Sequence, residues 1–168
     1  MITFKKVRDA FGWMGNMSPH PIRSGWGDVQ LDYYTAEHFF QRCRFEDLDV
    51  IKEIRATKSP MGAKMVAKKH AAKMVVVPRS AIDIENMRET LCRKFSCNRE
   101  LGPLLLATGD EELVEDVSNR PNESGMFWGK ANINGTWVGQ NVLGLLLMEH
   151  RAILRACPPT PSSLPLSS

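Results

Sequence analysis

The sequence predicts an α+β domain, mostly helical, with short β-hairpins. Three observations lead there. Apolar residues recur at spacings of three and four, as in Ile84, Met87, Leu91 and Phe95, which is the signature of amphipathic helices. Two runs rich in strand formers bracket the turn residues Gly27-Asp28 and Asn134-Gly135, the pattern of hairpins. Strand and helix signals do not alternate regularly, so a parallel βαβ sheet is not expected.

The elements follow in order. Ile22 to Trp26 and Val29 to Tyr34 form the first hairpin. Thr35 is a good N-cap, and a helix is expected from Ala36 to about Phe45. A second helix, near Asp47 to Ala56, carries Leu48, Ile51 and Ile54 on one face. Ser59-Pro60 pairs a cap with a proline at the first helical position and so starts a third. The fourth opens near Ser80 and ends at Asn98. Leu101 to Ala107 is a short helix stopped by Gly109. Glu112 to Val117 reads as a strand, followed by a polar loop from Ser118 to Gly125. Met126-Phe127-Trp128-Gly129 then leads into a second hairpin around Asn134-Gly135 and Trp137. The last helix starts near Gln140 and turns Leu143, Leu146, Leu147 and Leu154 to the core. Cys157 to Ser168 is rich in Pro and Ser and reads as a disordered tail, leaving one domain over residues 1–156.

Composition narrows the function. With 168 residues, 43% hydrophobic and 24% charged, the chain is an ordinary globular size and mix. A net charge of +3 is too small to argue for nucleic-acid binding. The basic excess is local, at Lys58, Lys64, Lys68, Lys69, His70 and Lys73. No apolar run is long enough for a membrane span, and the N-terminus lacks the apolar stretch of a signal peptide. Cys43, Cys92, Cys97 and Cys157 show no C-x-x-C spacing, so neither a metal nor another cofactor is expected. The simpler reading is a reduced, cytoplasmic protein in which Cys43 and Cys92 belong to the core.

Phosphate-binding, dinucleotide-binding and serine-hydrolase motifs are absent. The most informative stretch is Thr35-Ala36-Glu37-His38-Phe39-Phe40-Gln41, a carboxylate beside an imidazole at a helix start among aromatic rings. Alone, Glu37 could be a first-turn acid that complements the helix dipole. The other polar candidates also have plain structural readings. Asn16 suits a turn, Asn98 a C-cap and Asn141 an N-cap, while Lys64 and Lys94 suit solvated helix faces. Asp110 suits a turn, Glu115 the solvent side of a strand, and Trp128 the core.

Together these residues fall into a pattern. Trp13-Met14-Gly15-Asn16 comes first, then Thr35 to Phe45 with Glu37, Phe40, Gln41 and Arg44, then Ser59-Pro60-Met61-Gly62-Ala63-Lys64. Lys94-Phe95-Ser96-Cys97-Asn98 follows, then Leu105-Leu106-Ala107-Thr108-Gly109-Asp110 with Leu113 and Glu115. Trp128-Gly129 and Gly139-Gln140-Asn141-Val142-Leu143-Gly144 complete the series. Over roughly residues 9–155 the chain resembles the NADAR superfamily, also called YbiA-like. The resemblance implies a YbiA-like fold and an N-glycosidase, a hydrolase that cleaves the bond between a ribose C1 and a nitrogen. It implies substrates that are small-molecule nucleotides or ADP-ribosylated nucleobases such as guanine, and by extension ADP-ribosylated nucleic acid. Phosphoribosylated intermediates of riboflavin synthesis are the alternative.

Such cleavage builds positive charge on the ribose, which a carboxylate stabilises. Glu37 is expected to be catalytic, with Glu115 a second candidate. Phe40, Phe127 and Trp128 would hold the base, and Asn16, Gln41, Asn98, Gly129 and Asn141 would line the site. Lys64 and Lys94 would contact phosphate, or a lysine would attack C1 and form a Schiff base. One departure matters. Where many members carry an acid three positions before the Trp-Gly pair, this chain has Gly125, with Asp116, Asn122 and Glu123 as nearby substitutes. That departure and the long Ser118–Gly125 loop favour a larger, ADP-ribose-type substrate. A catalytically silent nucleotide binder, and an interaction module using the Lys58–Lys73 face, are the competing classes.

Overall fold

A computed structural model describes residues 1–26 and 29–156. The elements run β1 (Ile2–Phe4), β2 (Ile22–Trp26), β3 (Val29–Tyr33), α1 (Ala36–Arg42), α2 (Leu48–Ala56), α3 (Pro60–Lys69), α4 (Ala81–Cys97), α5 (Leu101–Leu106), β4 (Leu113–Glu115), α6 (Glu123–Trp128), β5 (Ala131–Ile133), β6 (Thr136–Val138) and α7 (Val142–Ala156). Among the described residues helices dominate and the strands pair only in twos, so the class is α+β.

The helix starts are set by local chemistry. Asp47, Ser59 and Ser80 each accept a backbone N–H from the first turn that follows, which satisfies an otherwise orphaned donor. Pro60 fills the first position of α3, where its missing N–H does no harm. The largest apolar cluster joins Met87, Leu91 and Phe95 of α4 to Leu101 and Leu105 of α5, Leu113 of β4, and Leu143, Leu146 and Leu147 of α7. A second cluster lies under α2 and α3, around Val50, Ile54, Ala63 and Ala67. α1 packs against α2, α3 and α4 and so sits at the junction of the two. α7 comes very close to β4, because a Cβ on Gly144 would lie 2.1 Å from the Leu113 carbonyl oxygen.

Several expectations change. The N-terminal segment is a strand, β1, running parallel to β4 with Phe4 opposite Glu115. Its three residues are too few for periodicity to reveal. The first helix stops at Arg42 rather than Phe45, with the Cys43 N–H turning back to the carbonyls of Phe39 and Phe40. Met126-Phe127-Trp128 is the end of helix α6 and not a strand, because Asn122 caps that helix through the Gly125 N–H at 2.8 Å. The second hairpin instead begins at Ala131. Cys92 is exposed on α4 and is not a core residue. The Gly27-Asp28 turn and the Cys157–Ser168 tail lie outside the described residues. Among the described residues no helix is long and apolar enough to cross a membrane.

Candidate active site

The start of α1 is held on three sides. Thr35 Oγ1 caps the helix through the His38 N–H at 3.4 Å. The Glu37 N–H donates to the Asn16 carbonyl at 3.0 Å, which ties the helix to the 12–18 loop. The His38 ring is fully buried between Thr35 Oγ1 at 2.8 Å and the Thr57 carbonyl at 3.1 Å. Burial lowers the His38 pKa, against the Thr57 carbonyl and the Glu37 charge. Thr57 stands just before Ser59, the cap of α3. The imidazole therefore fixes the helix that carries Glu37 against the one that carries Lys64.

Glu37 is buried and accepts a hydrogen bond from Gln41 Nε2 at 2.8 Å. Gln41 Oε1 in turn accepts from Arg44 at 3.1 Å. Arg44 is locked by a buried two-bond pairing to Asp83 of α4, at 2.8 and 2.7 Å. Asp83 also accepts the Arg79 N–H at 2.7 Å. Arg44 lies inside a motif that assigns it no role, and nothing local singles out Asp83 in the first turn of α4. Their burial is a tertiary property that local spacing does not encode.

Glu115 ends β4 and faces this cluster. Burial and the Glu37 charge push its pKa up to about 7, while Lys64 pulls it down. The three residues thus sense one another across α1, β4 and α3. Lys64 is exposed at the rim. Glu115 is placed by its neighbours: its N–H donates to Asn141 Oδ1 at 3.3 Å and its carbonyl accepts from the Lys130 N–H at 2.8 Å. Asn141 also donates to the Leu113 carbonyl at 2.8 Å. A Cβ on Gly129 would fall 2.4 Å from the Glu115 carbonyl oxygen, so glycine is required there for the strand to pass.

Asn16 lies nearby, buried, with its Nδ2 on the Met87 sulfur at 3.2 Å and no partner for Oδ1 among the described residues. A buried acceptor of this kind suits a ligand N–H. Trp128 meets Phe40 edge to face at 5.5 Å and Phe127 at 4.9 Å. Phe40 is 3% exposed, with the Arg44 guanidinium 4.5 Å over its ring. Such a ring has no free face for a base, so the stacking expected of Phe40 does not fit its position. Phe127 is half-buried and keeps open surface.

Two expected phosphate or ligand contacts are engaged elsewhere. Lys94 is 0% exposed, and Nζ donates to the carbonyls of Trp13, Met14 and Gly15 and to Ser18 Oγ, at 2.6 to 3.3 Å. Burial pulls its pKa down to about 7, while the four oxygens favour the ammonium. Asn98 Nδ2 donates to the carbonyls of Pro21 and Lys94. Neither donor set is available to a ligand. The substitutes for the acid missing at Gly125 are also occupied. Asn122 caps α6, Glu123 pairs with Arg79, and Asp116 pairs with Lys5 and accepts from Ser118.

A cavity of about 620 Å³, lined in part by Phe39, Arg42 and Arg93, opens away from Glu37 and Glu115. Among the described residues no group of three or more His, Cys, Asp or Glu side chains could hold a metal ion.

The NADAR domain family model matches residues 3–155. The N-glycosidase YbiA of Shigella flexneri is 34% identical over 151 residues, covering 90% of this chain and 86% of that protein. The chloroplastic riboflavin biosynthesis protein PYRR of Zea mays is 32% identical over 164 residues, 90% of this chain but 25% of that protein. The solution structure of Escherichia coli YbiA superposes with a TM-score of 0.72 at 33% identity, covering 92% of this chain and 84% of that one. With its site motifs, its fold and its sequence all in agreement, the chain belongs to the NADAR domain family.

Proposed function

We propose that this chain, an N-glycosidase like the curated relatives it matches, cleaves the ribose C1–nitrogen bond of an ADP-ribosylated base such as guanine. The observation that carries the reading is the meeting of Glu37, Glu115 and Lys64 at one edge of the domain. As the C1–N bond breaks, its electron pair leaves with the base and positive charge spreads over the ribose. Glu37 stabilises that charge as a carboxylate. Glu115, with a pKa of about 7, is suited to exchange a proton near neutrality with the attacking water or the departing nitrogen. Asn16 Oδ1 is an acceptor for an N–H of the base, and Phe127 offers a partly open ring.

Lys64 stands at the rim with Lys58 and Lys68, all three exposed and without an ion pair among the described residues. This cationic edge favours a diphosphate over the single phosphate of a riboflavin-pathway intermediate. An exposed rim also favours contact with phosphate over attack from a desolvated pocket.

The test is incubation with ADP-ribosylated guanosine and with a phosphoribosylaminopyrimidine, read by mass spectrometry. Release of guanine-containing product and ADP-ribose from the first substrate is expected, and Glu37→Gln lowers that rate by about a hundredfold or more. Turnover of the aminopyrimidine alone would move the assignment to the riboflavin-type substrate. No product from either would favour a silent binder.

A further inference from the structure

We propose that Arg44 is a positioning residue: by orienting the Gln41 amide it turns an N–H, rather than an oxygen, towards the Glu37 carboxyl. This rests on the N-glycosidase reading only for its catalytic meaning. The geometry stands without it.

A glutamine amide is a two-faced group, with N–H donors on one side and an acceptor on the other. Which side meets Glu37 depends on what holds the far end. Here the far end meets a guanidinium, which has donors and no acceptor. Gln41 Oε1 must therefore turn to Arg44, at 3.1 Å, and Nε2 must turn to Glu37, at 2.8 Å. An N–H directed at a carboxyl oxygen favours the ionised form. The reversed amide would present an oxygen to Glu37 and favour its protonated form. Arg44 cannot swing away to permit that reversal, because both arms of its fork are held by Asp83 and its face lies over Phe40. Asp83 is 0% exposed and is itself fixed by the Arg79 N–H.

Among the described residues the other charges around Glu37 are few. Glu115 of β4 lies within electrostatic reach of Glu37 and of Lys64 of α3. His38 lies beside Glu37 on α1, with a pKa lowered by burial. Asp83 stands behind Arg44 on α4. Of these, only the Arg44–Gln41 line reaches Glu37 through hydrogen bonds.

The experiment needs no substrate, so its failure is separable from failure of the functional reading. Protein labelled with ¹³C at glutamate side chains is titrated between pH 4 and 9, following the carboxyl signals of Glu37 and Glu115. Gln41→Leu removes the donor. The pair Arg44→Gln with Asp83→Asn removes the orienting cation without leaving a lone buried charge. In both, loss of the oriented N–H is expected to raise the Glu37 midpoint by about one pH unit or more relative to the unaltered protein. Arg44→Lys should restore the native midpoint only in part, because an ammonium lacks the fork that holds both Asp83 and Gln41. Should a folded Gln41→Leu protein keep both titrations unchanged, the proposal is overturned, even if its turnover falls. A Glu37 midpoint that falls in either variant would overturn it equally.

Discussion

Lys64 and Lys94 begin alike in the sequence, each a lysine on a helix within a family motif, and the fold gives them opposite surroundings. Lys94 points into the domain and is met by four oxygens of the 13–18 loop. Lys64 stands at the rim of α3 and acts on the site through its charge near Glu115. The difference shows that a lysine's role is decided by what already competes for its protons. Lys94 has spent its donors on the loop that carries Asn16, and so supports the site from behind. Lys64 retains donors for an anion.

The sharpest way to break this contrast is to remove each ammonium in turn. Lys94→Met removes a donor from the carbonyls of Trp13, Met14 and Gly15; Ser18 still donates to Trp13 and Gly15, but the Met14 carbonyl keeps no donor among the described residues. Unsatisfied buried acceptors are expensive, so a loss of about 3 kcal/mol or more is expected in denaturant unfolding. Lys64→Met removes an exposed charge and should change stability by less than about 0.5 kcal/mol. Equal losses in the two variants would mean that Lys64 also has a structural partner.

In turnover the order reverses. Lys64→Met is expected to lower kcat/KM for the ADP-ribosylated substrate by about tenfold to a hundredfold, the worth of one charge-assisted contact to phosphate. Lys64→Arg should keep much of the activity, since a guanidinium also binds phosphate. Borohydride added during turnover should trap no adduct on Lys64. A trapped ribosyl adduct lost in Lys64→Arg would show instead that the lysine attacks C1, because a guanidinium stays protonated.

Much of the fold was legible where local chemistry decides. The caps Thr35, Asp47, Ser59 and Ser80 mark their helix starts in both the sequence and the structure. The stripe Met87, Leu91 and Phe95 is buried as its spacing predicts. What escaped was decided at long range. β1 exists because residues 2–4 find β4, more than a hundred positions away. α6 replaced an expected strand because one capping bond from Asn122 outweighed the aromatic content of Met126-Phe127-Trp128. The site divides in the same way. Glu37, Lys64 and Glu115 were nameable from their motifs, but the Asp83 clamp on Arg44 and the burial of Phe40 depend on α4 and the core.

Glu115 sharpens the comparison from the acidic side, with the smallest expected effect. Lys94 is a buried cation met by acceptors, whereas Glu115 is a carboxyl met by the like charge of Glu37. Its pKa in the fold is about 7, above the ordinary 4.5. In the unfolded chain it therefore loses its proton near 4.5, and in the fold only near 7. Between those values the folded state holds a proton that the unfolded state has released. Its contribution to stability is thus full below about 4.5, declines as pH rises through that window, and is gone above about 7. Glu115→Gln cannot ionise and escapes this decline. On going from pH 5 to pH 8 the full shift would give the variant about 2.5 kcal/mol relative to the native chain. Glu115 is partly exposed, so screening by water reduces this to about 1 kcal/mol, or a few degrees in Tm. Thermal unfolding at the two pH values measures it. A constant difference between the two proteins would mean that Glu115 is ionised in the fold throughout, and that Lys64 outweighs both burial and Glu37.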